Sequence, residues 1–114
     1  MSTSSLSNTN TVKLLLIIIA AGLYGCKSDS EKQQELGQQV VKDNCKICHA
    51  QGINGAPIIG NKKMWSGRIE QDEEVLVQHA TEGFGLMPAK GGKEHLTETE
   101  IRAAVAYLKS RVNP

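Results

Sequence analysis

Apolar residues along this chain fall into one continuous run and a series of helical stripes. The run comes first: Val12 to Leu23 reads VKLLLIIIAAGL, with Lys13 as its one charge. From Lys27 to Gln34 (KSDSEKQQ) there is no apolar residue. Leu36, Val40 and Val41 then recur at the spacing of a narrow helical face, which predicts a helix over Glu31 to Asp43. Ala50 to Gly60 is rich in Gly, holds Pro57 and reads as loop. Asp72 is placed to cap a helix running through Ala80, with Glu73 and Glu74 in the first turn, where the helix dipole favours anions. Gly83 and Gly85 end that helix. Leu86 to Lys93 is a second loop, holding Met87, Pro88 and the Gly91-Gly92 pair. Thr97-Glu98-Thr99-Glu100 has the form of a capping box. Behind it Ile101, Ala104, Val105 and Leu108 make one face, and Lys109 and Arg111 suit the C-terminal end. Helices separated by loops, with no strand alternation, predict an all-α fold.

The run at 12–23 is shorter than the ~20 apolar residues that a membrane span needs. It suits the h-region of a secretory signal peptide, although Lys13, near its start, is the only cation up to that point. It ends in Leu23-Tyr24-Gly25-Cys26, which resembles the bacterial lipobox, where a small residue precedes a cysteine that is lipidated. The organisation expected is a lipoprotein-type signal peptide at 1–25, lipidated Cys26 with a flexible tether at 26–34, and one domain at 35–114. An uncleaved apolar anchor is the alternative. Removing 25 of the 114 residues leaves 89, with 12 basic and 12 acidic side chains. That balance gives no footing for nucleic-acid binding. A domain of this size buries a marginal core, and only Trp65, Phe84 and Tyr107 supply aromatic bulk. A buried prosthetic group would supply the rest.

Cys45-Lys46-Ile47-Cys48-His49 carries the chemistry. C-x-x-C-H is the pattern of covalent c-type haem attachment. Two cysteines three positions apart on one turn can bond the two vinyl groups of a haem. The histidine that follows then lies under the iron as proximal ligand. Two other readings use the same pair. A zinc site needs about four ligands, and would have to recruit His79 and His95, or His49 with one of them. A thioredoxin-like dithiol wants a βαβ setting, which the pattern here does not supply.

From about Leu36 to Val112 the chain resembles class I bacterial cytochromes c, above all the cytochrome c5 type. The residues that carry the resemblance are Gly37, CKICH, Gly55-Ala56-Pro57, Trp65 with Arg68-Ile69, and the Val75-to-Ala80 helix. Met87-Pro88-Ala89-Lys90-Gly91-Gly92 and the helix that starts at Leu96-Thr97 complete it. The resemblance implies a class I cytochrome c fold, with N- and C-terminal helices crossing around one covalently bound haem c. Gly37 would let the helices approach, with Tyr107 as a packing partner. Val41 stands where the family often has an aromatic residue. Met87 would be the second axial ligand to the iron beside His49, and its setting among Pro and Gly agrees, whereas Met64 beside Trp65 reads as packing. Pro57 would accept a hydrogen bond from the proximal histidine, and Trp65 and Arg68 would lie near the propionates. Pro88 would hold the chain extended at Met87. His79 and His95 are surplus to the haem.

The implied function is a monohaem one-electron carrier in a bacterial respiratory chain, tethered by lipid on the periplasmic side of a membrane. Lys27 after the lipidated cysteine leans towards the outer membrane. With both axial positions filled, no small-molecule substrate site remains and no enzyme activity is expected. Redox proteins would be the partners, and Lys46, Lys62, Lys63, Lys90 and Lys93 are candidates to steer an acidic one. The alternatives are a fixed haem subunit of a larger oxidoreductase and a haem-based ligand sensor.

Overall fold

The structure, a computed structural model, describes residues 25–113. The apolar run at 12–23 and nearly all of the expected signal peptide lie outside these residues. Among the described residues no helix is long and apolar enough to cross a membrane.

The first helix, α1, spans Asp29–Val40 and starts earlier than its apolar pattern suggests. Ser28 caps it. The Ser28 hydroxyl accepts from the Glu31 N–H at 3.2 Å, and the Glu31 carboxylate accepts from the Ser28 N–H at 2.8 Å. This reciprocal box, with Asp29 and Glu31 at the positive helix end, nucleates turns that contain no apolar residue. Most of the segment read as a flexible tether, Asp29 to Gln34, is therefore helical. It also belongs to the domain, since Gln34 Oε1 lies 3.1 Å from Ser110 Oγ on the last helix.

The chain does not leave the helix at Val40. It widens into a π-helical stretch, Val41–Cys45, in which Lys46 N–H reaches back to Val41 O, and closes with α2, Lys46–His49. Asn61 caps the short α3 (Lys62–Trp65) and Asp72 caps α4 (Glu73–Glu82). A capping box at Thr97 opens α5 (Glu98–Val112), as its sequence predicts. Single 3₁₀ turns lie at Ile53–Gly55 and Ala89–Gly92. The one strand-like pairing among the described residues joins Phe84 to Met87.

The most extensive packing is between α1 and α5, with α4 laid on α5 as well. Gly37 sits at the first of these crossings. A β-carbon there would stand 2.7 Å from the Ala103 carbonyl carbon and 2.8 Å from Tyr107 Cβ, so only hydrogen fits. Around the crossing Val40, Val41, Ile101, Ala104, Val105, Leu108 and Val112 are buried, and Trp65, Val77 and Leu96 extend the core. Each of the valine, leucine and isoleucine side chains contributes roughly 1.5–3 kcal/mol by leaving water. Val41 is only 2% exposed, so valine fills the place where an aromatic is common in the family. Leu36 departs from expectation at 37% exposed. Gly37 takes the contact with α5, and one residue back along a helix points about 100° away.

Candidate haem site

The site is built at the far end of the α1 rod. Cys45 closes the π-helical stretch, and Cys48 and His49 follow on α2. Residues three apart on a helix are neighbours on its surface, so both thiols face one side. Both are free and half-buried. Burial, and then the neighbouring Cys48, push the Cys45 thiol above its ordinary range.

His49 is 8% exposed and is the one polar side chain buried among the described residues. Its Nδ1 lies 2.9 Å from the Pro57 carbonyl oxygen. A carbonyl can only accept, so Nδ1 is the donor, and in the neutral imidazole Nε2 is then the nitrogen with the free lone pair. The loop that brings Pro57 there is pinned by Ile59 N–H donating to His49 O at 2.9 Å. Trp65, 7% exposed, lies alongside, its ring 6.2 Å from the imidazole and inclined by 23°. The indole N–H donates to Ile58 O at 2.8 Å. His49, Pro57, Ile58 and Trp65 thus form one packed and hydrogen-bonded unit.

An indole has a single donor, and here the Ile58 carbonyl accepts it, which ties Trp65 to the loop beside His49. Arg68 is exposed, and its Nη1 donates to Met64 O at 3.0 Å. Met64 is half-buried on α3, next to Trp65 in the chain.

Met87 is held by a second unit. α4 ends at Gly83, whose φ of +93° turns the chain sharply. Phe84 and Met87 exchange backbone hydrogen bonds of 3.0 and 2.9 Å around Gly85, at φ +58°, and Leu86. A two-residue turn of this kind wants glycine at its first central position. Pro88 follows in extended conformation, with φ −70° and ψ 159°. Met87 itself is half-buried. Two residues of this unit were missed by sequence reasoning. Gly83 lies so close to the next strand of chain that a β-carbon would meet Met87 O at 2.9 Å and Ala89 N at 3.0 Å. Lys90, expected as a steering cation, instead donates to Leu96 O at 2.7 Å. A glycine after a predicted helix signalled only its end, and nothing local marks a lysine as bound. His79 stacks on Phe84 at 4.2 Å, away from any ligand role.

The donor set fits a covalent haem: two half-buried thiols at the right spacing, an imidazole whose neutral form has Nε2 free, and a thioether on a braced loop. Zinc is not supported, because among the described residues no three His, Cys, Asp or Glu side chains come together to hold a metal ion. Comparison with known proteins agrees. The family model described as "Cytochrome C oxidase, cbb3-type, subunit III" matches residues 32–108. Cytochrome c-555 of Chlorobaculum tepidum is 40% identical over 76 residues, covering 63% of this chain and 70% of that one. Cytochrome c5 of Azotobacter vinelandii is 30% identical over 74 residues, covering 63% and 89%. A chain in the crystal structure of an electron transfer complex of nitrite reductase with cytochrome c superposes with a TM-score of 0.65 at 33% identity, covering 68% of this chain and 95% of that one. With its crossing helices and its C-x-x-C-H motif at the end of the first, the chain belongs to the class I cytochromes c, electron carriers with one covalently bound haem c.

Proposed function

We propose that this cytochrome is a lipid-tethered one-electron shuttle between redox proteins, with His49 and Met87 as the two axial ligands. When bound, haem c supplies an iron that takes up and releases one electron. Cys45 and Cys48 would hold it through thioether bonds, which also protects an exported chain from an unwanted disulfide. The observation that carries the reading is the Nδ1–H of His49 donating to Pro57 O, which in the neutral imidazole would leave Nε2 free to bind the haem iron. Met87 would supply a soft thioether that favours the ferrous state and raises the reduction potential. Arg68 retains N–H groups that a propionate can accept from. If His49 and Met87 both bind the iron, no coordination site would remain for a substrate, which favours a carrier over an enzyme.

Cys26 would carry the lipid, on the periplasmic side of a respiratory membrane, with the outer membrane favoured by Lys27. A fixed subunit of a larger oxidase is the second reading, favoured by a matching family model that is named for one. The test is spectroscopic. The purified protein is expected to keep its haem through denaturing electrophoresis and, when oxidised, to show the weak near-infrared absorption of sulfur-to-iron ligation. Met87→Ala should abolish that absorption and open the iron to added ligands. A spectrum unchanged by Met87→Ala would assign the position to another residue. Co-purification with integral oxidase subunits at fixed stoichiometry would favour the second reading.

A further inference from the structure

Lys90 has a backbone that glycine would suit better. Its φ is +53°, followed by Gly91 at +63° and Gly92 at +77°. Glycine enters this left-handed region freely, whereas a β-carbon crowds the backbone there. A lysine at the first of three such positions needs compensation from its side chain. The Lys90 ammonium provides it, donating to Leu96 O at 2.7 Å and to Glu94 O at 3.4 Å. Leu96 is 2% exposed and immediately precedes Thr97, the cap of α5. Lys90 therefore ties its loop to a fixed point in the core. From the opposite side, the Gly83 backbone lies against Met87 and Ala89. The stretch Met87-Pro88-Ala89 is held between the end of α4 and the base of α5.

We propose that Lys90 is a positioning residue for Met87. Its bonds to the Leu96 and Glu94 carbonyls hold the 83–92 loop in the shape that keeps the Met87 thioether on the iron, and so set how readily another ligand displaces it. The inference rests on Met87 being the axial ligand. It gives Lys90 a role that its charge alone would not, because its ammonium is bonded to backbone.

The test uses the ferric holoprotein titrated with imidazole, with displacement of Met87 followed by loss of the near-infrared absorption. Lys90→Met keeps the aliphatic stem and removes the donor. Lys90→Gly removes the donor and also relieves the backbone. Lys93→Met removes the same charge three residues on, from a side chain that bonds no carbonyl among the described residues. Both Lys90 variants should bind imidazole about tenfold more tightly, the scale of one lost charge-assisted hydrogen bond. Lys93→Met should match the parent, and Lys90→Arg should recover most of the loss. Parent-like imidazole affinity in Lys90→Gly overturns the proposal, because the backbone shape would then suffice alone. Equal gains in Lys90→Met and Lys93→Met also overturn it, because charge would then be the cause. If the parent lacks the near-infrared absorption and Met87→Ala changes nothing, the ligand assignment itself has failed, and this proposal with it.

Discussion

At Gly37 an added β-carbon would stand 2.8 Å from Tyr107 Cβ and closer still to the backbone of Ala103. The obstruction includes a carbonyl in the middle of α5, which cannot swing aside as a flexible side chain can. Gly37→Ala improves the intrinsic helix propensity of α1 by about 1 kcal/mol. It must also push the two helices apart, and overpacking of this kind costs about 1–3 kcal/mol or more. The clash should win, so Gly37→Ala is expected to lower the denaturation midpoint of the holoprotein. A midpoint raised by the substitution would mean that the crossing has slack. At Trp65, too, the partner is backbone: the indole N–H donates to the carbonyl of Ile58.

Among the elements, α4 and α5 are joined by ion pairs as well as by apolar contact. The Arg102 guanidinium binds both carboxylate oxygens of Glu74 and reaches Glu98 at 3.2 Å, while Lys109 lies 3.6 Å from Glu73. The hydrogen bond from Arg102 holds the Glu74 carboxyl below its ordinary 4.5. Bonds from the Ser28 and Thr97 caps do the same for Glu31 and Glu100, so the openings of α1 and α5 share this dependence. A carboxyl with a depressed folded value stabilises the fold fully above its unfolded value, and that contribution is lost as pH falls through the folded one. Stability should therefore decline as pH drops below about 4.5. In Glu74→Gln the decline should be shallower, because one of the three carboxyls no longer titrates. Denaturant unfolding at stepped pH measures it. These groups are exposed, so salt should weaken the effect. A pH profile identical in Glu74→Gln would mean that the pair adds nothing in solution.

For the whole molecule, the early start of α1 alters how an anchor would act. Only Lys27 and Ser28 separate Cys26 from the helix, so the link reaches roughly 10 Å when extended. A haem domain on so short a link would stay close to the membrane surface, with its C-x-x-C-H motif at the other end of the α1 rod. Lipidation of Cys26 is checked by mass spectrometry of the mature N-terminus. Cys26→Ser should block it and leave the haem spectrum unchanged, because the haem motif lies at the opposite end of that rod. An unmodified Cys26 within a longer intact N-terminus would favour an uncleaved anchor instead.

The sequence by itself determined the helical class, the caps at Asp72 and Thr97, the haem motif and the buried face of α5. Each of these is written in residues close together along the chain, by spacing or by a local hydrogen bond. It also marked Gly37 and Pro57, though only through resemblance to a family. Tertiary structure decided what the remaining side chains are for. The donor of Trp65 goes to Ile58, the ammonium of Lys90 to Leu96, and the missing side chain of Gly83 makes room for Met87. In each case the partner is a backbone atom that folding, not side-chain pattern, brings near. Backbone carbonyls are the same at every residue, so no pattern of side chains announces which one a donor will find.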